Sequence, residues 1–322
     1  MKLAFIIDPI AKLDPGHDSS VAMMESAQLL GHQVWITEAN QLSIIGGKAW
    51  GYLQTVNLKP VKLVEQHYSA APDWYKLENK CLTCLEEMDV VFMRTDPPVT
   101  VPYLYTTYIL DLIDRSKTLV VNSPEGLRTA NEKVYALQFT EVIPETIVSQ
   151  DKAVIAKFIE SKQTAVLKPL GGKGGEGILF LEAGDRNFNS IVEVSTRQGR
   201  EPVMVQEYLS AAKEGDKRII LLDGKPIGAV NRVPSGNEFR GNMAVGGKAA
   251  KVDITKREQE ICAVVAPQLH KDNLYFVGID VIGGYLTEVN VTSPTGIREI
   301  DRLNGVSLGR RVIEWLEKKL AS

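Results

Sequence analysis

The chain has 322 residues, enough for two or three domains around a large buried core. With 37 Lys and Arg against 40 Asp and Glu, a net charge of −3 and 24% charged residues, it offers neither a basic footprint for nucleic acid nor a polybasic patch for a membrane surface. No segment approaches the length of a membrane span, and the apolar run at the N-terminus is broken by Asp8 before it reaches the length of a secretory core. The three cysteines include Cys81-Leu82-Thr83-Cys84, but there is no second pair and only His67 lies nearby, so the pair reads as two reduced thiols rather than half a zinc site. Together with the odd cysteine count, this predicts a cytoplasmic protein.

In chain order, Lys2 to Ile7 reads as a buried parallel strand, Ser19 to Leu30 as a helix and Gln33 to Thr37 as a second strand, a βαβ opening. Asp89 to Met93 is another apolar strand, ending in Arg94-Thr95-Asp96-Pro97-Pro98; a helix over Tyr103 to Ile113 and a strand over Thr118 to Val121 follow. Residues 1–122 are thus expected to form a doubly wound parallel α/β domain. Ser123-Pro124 marks the crossing into a second unit, with Pro124 in the first turn of a short helix. From Thr164 the pattern changes to short strands with glycine turns: Ala165 to Pro169, Ile178 to Leu181, Val203 to Tyr208, Arg218 to Leu222 and Lys225 to Val230. Helices return at Lys256 to His270 and Leu308 to Lys319.

The densest chemistry lies in Leu167-Lys168-Pro169-Leu170-Gly171-Gly172-Lys173-Gly174-Gly175-Glu176-Gly177, where an apolar strand delivers a lysine and then five glycines. Glycine lets the backbone approach an oxyanion closely and take positive φ, so the N–H groups of Gly172, Gly174 and Gly175 can converge on phosphate oxygens while Lys168 adds a point charge. No Gly-Lys-Ser or Gly-Lys-Thr follows, and Ile178-Leu179-Phe180-Leu181 continues as a strand, so this is neither a P-loop nor a dinucleotide fingerprint.

Val277 to Val291 reads as two apolar strands joined at Gly283-Gly284 and carrying Asp280, Glu288 and Asn290. Glu288 and Asn290 lie two apart and share a strand face, offering the hard oxygens that Mg²⁺ prefers. Asp280 faces Glu288 only if the turn has an odd number of residues, and a three-residue loop of Gly283, Gly284 and Tyr285 is predicted on that ground.

These features resemble an ATP-grasp ligase, and most of the chain is similar to the bacterial glutathione synthase family. The similarity rests on Ile7-Asp8-Pro9-Ile10 with Asp18-Ser19-Ser20, on Met93 to Pro98, on Asn131-Glu132-Lys133 and on Leu167 to Leu170. Gly215-Asp216-Lys217-Arg218, Arg240 to Gly247 and Thr287 to Pro294 complete it in the family's order. It implies an ATP-grasp fold of two α+β subdomains, 123–203 and 204–322, with ATP between them. Lys133, Lys168 and Asp216 then belong to the nucleotide site, and Gln206-Glu207-Tyr208-Leu209 would read adenine and ribose, with Glu207 where relatives have Asn. Lys173 and Gly171 also depart from the family's pattern, in a loop where backbone amides do the binding.

The implied reaction forms an acyl phosphate from γ-glutamylcysteine and ATP, from which glycine displaces phosphate to give glutathione. Mg²⁺, or Mn²⁺, would sit on Asp280, Glu288 and Asn290. Arg218 is either the cation for the transferring group or half of a surface pair with Asp216. Residues 232–247 read as a lid bringing Arg232 and Arg240 to the intermediate and excluding water. Asp8, Ser19, Ser20, Arg94 and Asp96 fall where open α/β sheets bind ligands, and Ser293 and Arg298 follow the metal strand, so these seven are the expected substrate residues. A helix-capping role for Asp8, Ser19 and Ser20 is the alternative. The resemblance also implies a homo-oligomer, a tetramer. Another carboxylate–amine ligase, joining a dipeptide or adding glutamate, and a non-catalytic nucleotide-binding regulator remain open at this level.

Overall fold

The computed structural model describes residues 1–236, 241 and 246–321. The chain opens as β1 (Lys2–Ile6), α1 (Ser19–Leu29) and β2 (Gln33–Thr37). The Asp18 carboxylate caps α1 by accepting from Val21 N at 2.9 Å. An antiparallel arm follows: β3 (Leu42–Ile45), β4 (Lys48–Leu58), the exposed hairpin of β5 (Lys62–Val64) and β6 (His67–Ser69), then β7 (Tyr75–Leu77) and β8 (Cys81–Cys84). The chain returns through β9 (Val90–Met93), α2 (Val101–Leu110) and β10 (Leu119–Val121). The order β10-β9-β1-β2 is parallel, as expected for the near-continuous apolar strands Leu3 to Ile6 and Val90 to Met93, and β4 extends the sheet antiparallel to β2. That extension, which also carries β3, β7 and β8, is absent from the sequence reading.

After α3 (Pro124–Thr129), a second sheet has the antiparallel order β11-β14-β12-β13. Its strands are β11 (Thr146–Ser149), β12 (Thr164–Pro169), β13 (Leu179–Glu182) and β14 (Val203–Glu207). With α4 (Lys152–Lys162) and α5 (Phe188–Ser195) it encloses a small core of its own built on Ile155, Ile159, Leu167, Leu181 and Val205. The expected boundary between 203 and 204 is corrected by this pairing, since it cuts β14, which is hydrogen-bonded between β11 and β12.

The third sheet, β17-β16-β15-β18-β19, comprises β15 (Asp216–Leu222), β16 (Lys225–Val233), β17 (Lys248–Lys251), β18 (Phe276–Ile282) and β19 (Tyr285–Asn290). The helices α6 (Lys256–Lys271), α7 (Ile297–Asn304) and α8 (Leu308–Ala321) accompany it, α6 starting in a capping box between Thr255 and Glu258. Leu127, Tyr135, Phe139 and Val142 share a core with Ile219, Leu221, Val277 and Val289. Residues 123–142 therefore pack with this third sheet rather than with the second. Gly309 lets α8 lie directly on α1, where a Cβ would meet Ala22 O at 2.6 Å. Among the described residues no helix is long and apolar enough to cross a membrane.

Candidate active site

A cavity of about 800 Å³ is lined from all three sheets: by the loop ahead of α1, by the glycine loop between β12 and β13, and by β15, β16, β18 and β19. On its floor Arg218 of β15 stands opposite Asp280 of β18 and grips it with Nε at 2.5 Å and Nη2 at 3.0 Å. Arg232, opposite Asp216 on the neighbouring pair of strands, donates to Asp216 at 2.5 Å and lies 3.0 Å from Asp280. All four are buried or nearly so, and two acids balance two guanidinium groups. Burial alone would raise the Asp280 pKa, but the charges of Arg218 and Arg232 overcome it and hold that carboxyl well below the usual range. Asp216 goes the other way: burial raises it, only partly offset by Arg232, and its Oδ1 has no hydrogen-bond partner among the described residues. The surface pair considered for Arg218 and Asp216 is replaced by this buried network.

The hairpin reaches the expected pairing by another route. Ile282 pairs with Tyr285, so the loop is the two residues Gly283 and Gly284, both at positive φ, and not three. The register shifts between Asp280 and Val281, Thr287 being the extra residue, and this bulge sets Asp280 opposite Glu288. Asn290 follows on the same face and donates from Nδ2 to Asp280 at 3.2 Å.

Lys133 Nζ bridges the hairpin and the glycine loop, donating to Gly172 O at 2.7 Å and standing 3.2 Å from Glu288. Lys168 Nζ donates to Gln206 Oε1 at 2.8 Å, and burial lowers its pKa. Gly174, Gly175 and Gly177 take φ of 59°, 84° and 69°, the left-handed region the loop was expected to use. Glu207, at the end of β14, and Tyr208 and Leu209 beyond it line the cavity, with Glu207 3.7 Å from Lys162.

Sequence reasoning did not assign Glu132 a role. Its Oε1 accepts from Val291 N, Thr292 N and Thr292 Oγ1 at 2.9, 3.0 and 2.8 Å, pinning the chain just beyond Asn290. Burial, aided by the charge of Glu288, raises its pKa.

The expected substrate residues divide. Asp96 and Ser293 line the cavity. Asp8, Ser19, Ser20, Arg94 and Arg298 are instead brought to one another or to the scaffold. Asp8 accepts from Asp96 N, Ser19 from Ile297 N, and Ser20 from Arg94 Nε. Arg94 also donates to Pro294 O and lies over the Phe276 ring; Arg298 pairs with Glu25, donates to Pro15 O and lies over Tyr68. Both arginines are buried, and their guanidinium groups tie the N-terminal domain to the segment after β19. The residues that line the cavity on that side are Lys12, Leu13, Asp14, His17 and Asp18, which the same strand-end rule that selected Asp8 would have reached a few positions later. Arg232, expected on the lid, instead lies in β16, and Arg240 with half of the expected lid, 237–240 and 242–245, lies outside the described residues.

Two family models match the chain: prokaryotic glutathione synthetase, N-terminal domain, over residues 1–128, and prokaryotic glutathione synthetase, ATP-grasp domain, over residues 132–305. The chain belongs to the prokaryotic glutathione synthetase family. It is 66% identical to the glutathione synthetase of Nostoc sp. over 320 residues, covering 99% of each chain. To that of Synechocystis sp. it is 66% identical over 319 residues, covering 99% of this chain and 100% of the relative. Among solved structures, D-cycloserine synthetase DcsG superposes with a TM-score of 0.66 at 14% identity, over 99% of this chain and 100% of that one. The ATP-grasp ligase PsnB complexed with minimal precursor gives 0.64 at 16%, over 99% and 98%; at these identities the likeness is one of fold. The glutathione synthetase relatives and the ATP-grasp fold make the chain an ATP-dependent, peptide-bond-forming ligase that functions as a glutathione synthase, with ATP as co-substrate. The alternatives of another ligase and of a non-catalytic regulator give way to this.

Proposed function

We propose that the cavity joins γ-glutamylcysteine to glycine through an acyl phosphate, and that the cations on its floor carry the chemistry. The observation behind this reading is the convergence of Lys133, Lys168, Arg218 and Arg232 with Asp280, Glu288 and Asn290 around one cavity. The cysteinyl carboxylate oxygen bonds to the γ-phosphorus of ATP as the bond to the β-phosphate oxygen breaks and ADP leaves. The glycine nitrogen then bonds to the acyl carbon and gives up a proton, and phosphate leaves. Neither step needs a side-chain nucleophile; what the chain supplies is alignment and positive charge where negative charge gathers. Lys168 and Lys133 bind ATP phosphates together with the N–H groups of Gly172, Gly174 and Gly175. Gln206 to Leu209 hold the adenine and ribose, with Asp216 nearby, and Arg218 and Arg232 face the transferring group. Asp96 and Ser293 are the expected substrate residues that remain on the cavity wall.

The donor set Asp280, Glu288 and Asn290 is hard oxygen throughout, the chemistry that suits Mg²⁺ and also Mn²⁺. Both Asp280 oxygens are already engaged by guanidinium groups, so Glu288 and Asn290 have the greater capacity to hold a cation. A divalent ion there would neutralise phosphate charge.

The same reading includes a cytoplasmic homotetramer. Val101, Tyr105, Tyr108 and Leu112, exposed along α2 and just past its end at helical spacing, support a self-association surface, which light scattering of the purified protein tests. The test of the reaction is phosphate release from Mg²⁺–ATP. It is expected only when γ-glutamylcysteine and glycine are both present, and release with a different acid and amine instead would sink the substrate assignment.

A further inference from the structure

The N-terminal wall of the cavity carries a preorganised group that the reaction scheme leaves without a task. His17 lines the cavity with its side chain 38% exposed, and its Nδ1 meets Glu299 Oε1 at 2.5 Å. Glu299 sits in α7, is 8% exposed, and its Oε2 has no partner among the described residues. The ring is thus gripped from behind by a buried acid, while Nε2 has no hydrogen bond among the described residues. The hydrogen bond to Glu299 raises the His17 pKa against the effect of burial, and the charges of Glu299, Asp14 and Asp18 add to it.

Asp14 and Asp18 flank it on the same wall. Each gives one oxygen to the backbone, Asp14 to Gly16 N and Asp18 to Val21 N, and neither makes an ion pair among the described residues. The other cations here are less suited to hold an anion. Lys12 is exposed on a long stem, and Lys173 is 3.3 Å from Asp96. Neither Arg94 nor Arg298 lines the cavity: Arg298 is paired with Glu25, and Arg94 is buried with Nε on Ser20 and Nη2 on Pro294 O, its Nη1 having no partner among the described residues.

An imidazole held by a buried acid, beside two carboxylates with no ion pair among the described residues, matches an α-amino acid zwitterion. The donor has such a group at the end remote from its reacting carboxylate, whereas the acceptor must lie against the acyl carbon. We propose that His17 binds the α-carboxylate of the γ-glutamyl head group through Nε2, with Asp14 and Asp18 receiving its ammonium. This rests on γ-glutamylcysteine being the donor. His17 acts in binding, so its loss raises the KM for the donor far more than it lowers kcat.

The test compares γ-glutamylcysteine with γ-aminobutyrylcysteine, which lacks only that carboxylate, in the wild type, His17→Gln, His17→Lys and Lys12→Gln. In the wild type the analogue should have a KM about tenfold or more higher, the weight of one charge-assisted hydrogen bond. In His17→Gln the two KM values should converge because that for γ-glutamylcysteine rises, while the KM for glycine stays put. His17→Lys should restore the preference. Raising the pH through the imidazole titration should raise the donor KM in the wild type but not in His17→Lys. Thermal melts of each variant separate binding from folding. A wild-type preference that survives in His17→Gln, passes to Lys12→Gln, or is matched by a shift in the glycine KM would overturn the assignment of His17. Failure of the wild type to turn over γ-glutamylcysteine at all would instead sink the donor reading beneath it.

Discussion

Arg218 and Asp280 face each other across two neighbouring strands and form a two-pronged, buried guanidinium–carboxylate pair at 2.5 and 3.0 Å. The pair gives the floor of the cavity its shape, because Arg232 and Asn290 both lean on the same carboxylate. Replacing Asp280 by Asn keeps the volume but leaves two buried arginines short of a counter-charge. We expect Asp280→Asn to lose about 3–5 kcal/mol of stability and at least about 100-fold in kcat/KM. Urea unfolding and phosphate release measure the two losses, and a variant with near wild-type turnover would show the pair to be scaffold alone.

Among the described residues, Glu288 is the acid of the hairpin with no arginine on it; Lys133 lies 3.2 Å away. Glu288→Gln is expected to lower turnover by about 100-fold and to shift the Mg²⁺ titration to higher concentration, with little change in melting temperature. An unchanged Mg²⁺ dependence would remove Glu288 from the metal site.

Asp301 lies at the end of α7 and accepts from Leu308 N at 2.7 Å, at the start of α8. Burial pushes its pKa up to about 7, despite that hydrogen bond and the charges of Arg298 and Arg311. The folded protein therefore holds a proton there that the unfolded chain releases near pH 4, so this site's contribution to stability falls as pH rises from about 4 to about 7. Asp301→Asn keeps the acceptor and removes the titration. Its melting temperature should gain on the wild type between about pH 5 and about pH 8, and parallel pH profiles would refute the assignment.

Gly309 is needed where α8 crosses α1, since a Cβ would fall 2.6 Å from both Ala22 O and Ser26 Oγ. Gly309→Ala is expected to cost about 2 kcal/mol by overpacking, read from the urea midpoint. A neutral effect would mean that the helices can part freely there.

The βαβ opening was legible because its strands are continuous apolar runs, and β2 and the start of α1 fall where expected. The glycine loop and the shared face of Glu288 and Asn290 were legible for equally local reasons, period and chain geometry. The arm from β3 to β8 was not, because its outer strands are short and largely exposed and have no buried run to mark them. The bulge at Thr287 was not either, since either an odd loop or one extra residue brings Asp280 to Glu288, and the sequence does not separate them. Arg94 and Arg298 were assigned to substrate by position alone. Their partners Pro294 and Glu25 lie 200 and 273 residues away, a distance over which no local pattern reports.

Those long separations govern how the enzyme can be made. His17 waits for Glu299, 282 residues later, and His32 for Glu317, 285 residues later. At about 5–20 residues per second, α1 leaves the ribosome tens of seconds before α7 and α8 can cover it. The earliest part of the chain to be synthesised is thus among the last to be finished, and a protein truncated before α7 would keep its phosphate floor yet lose the helices that hold the facing wall in place.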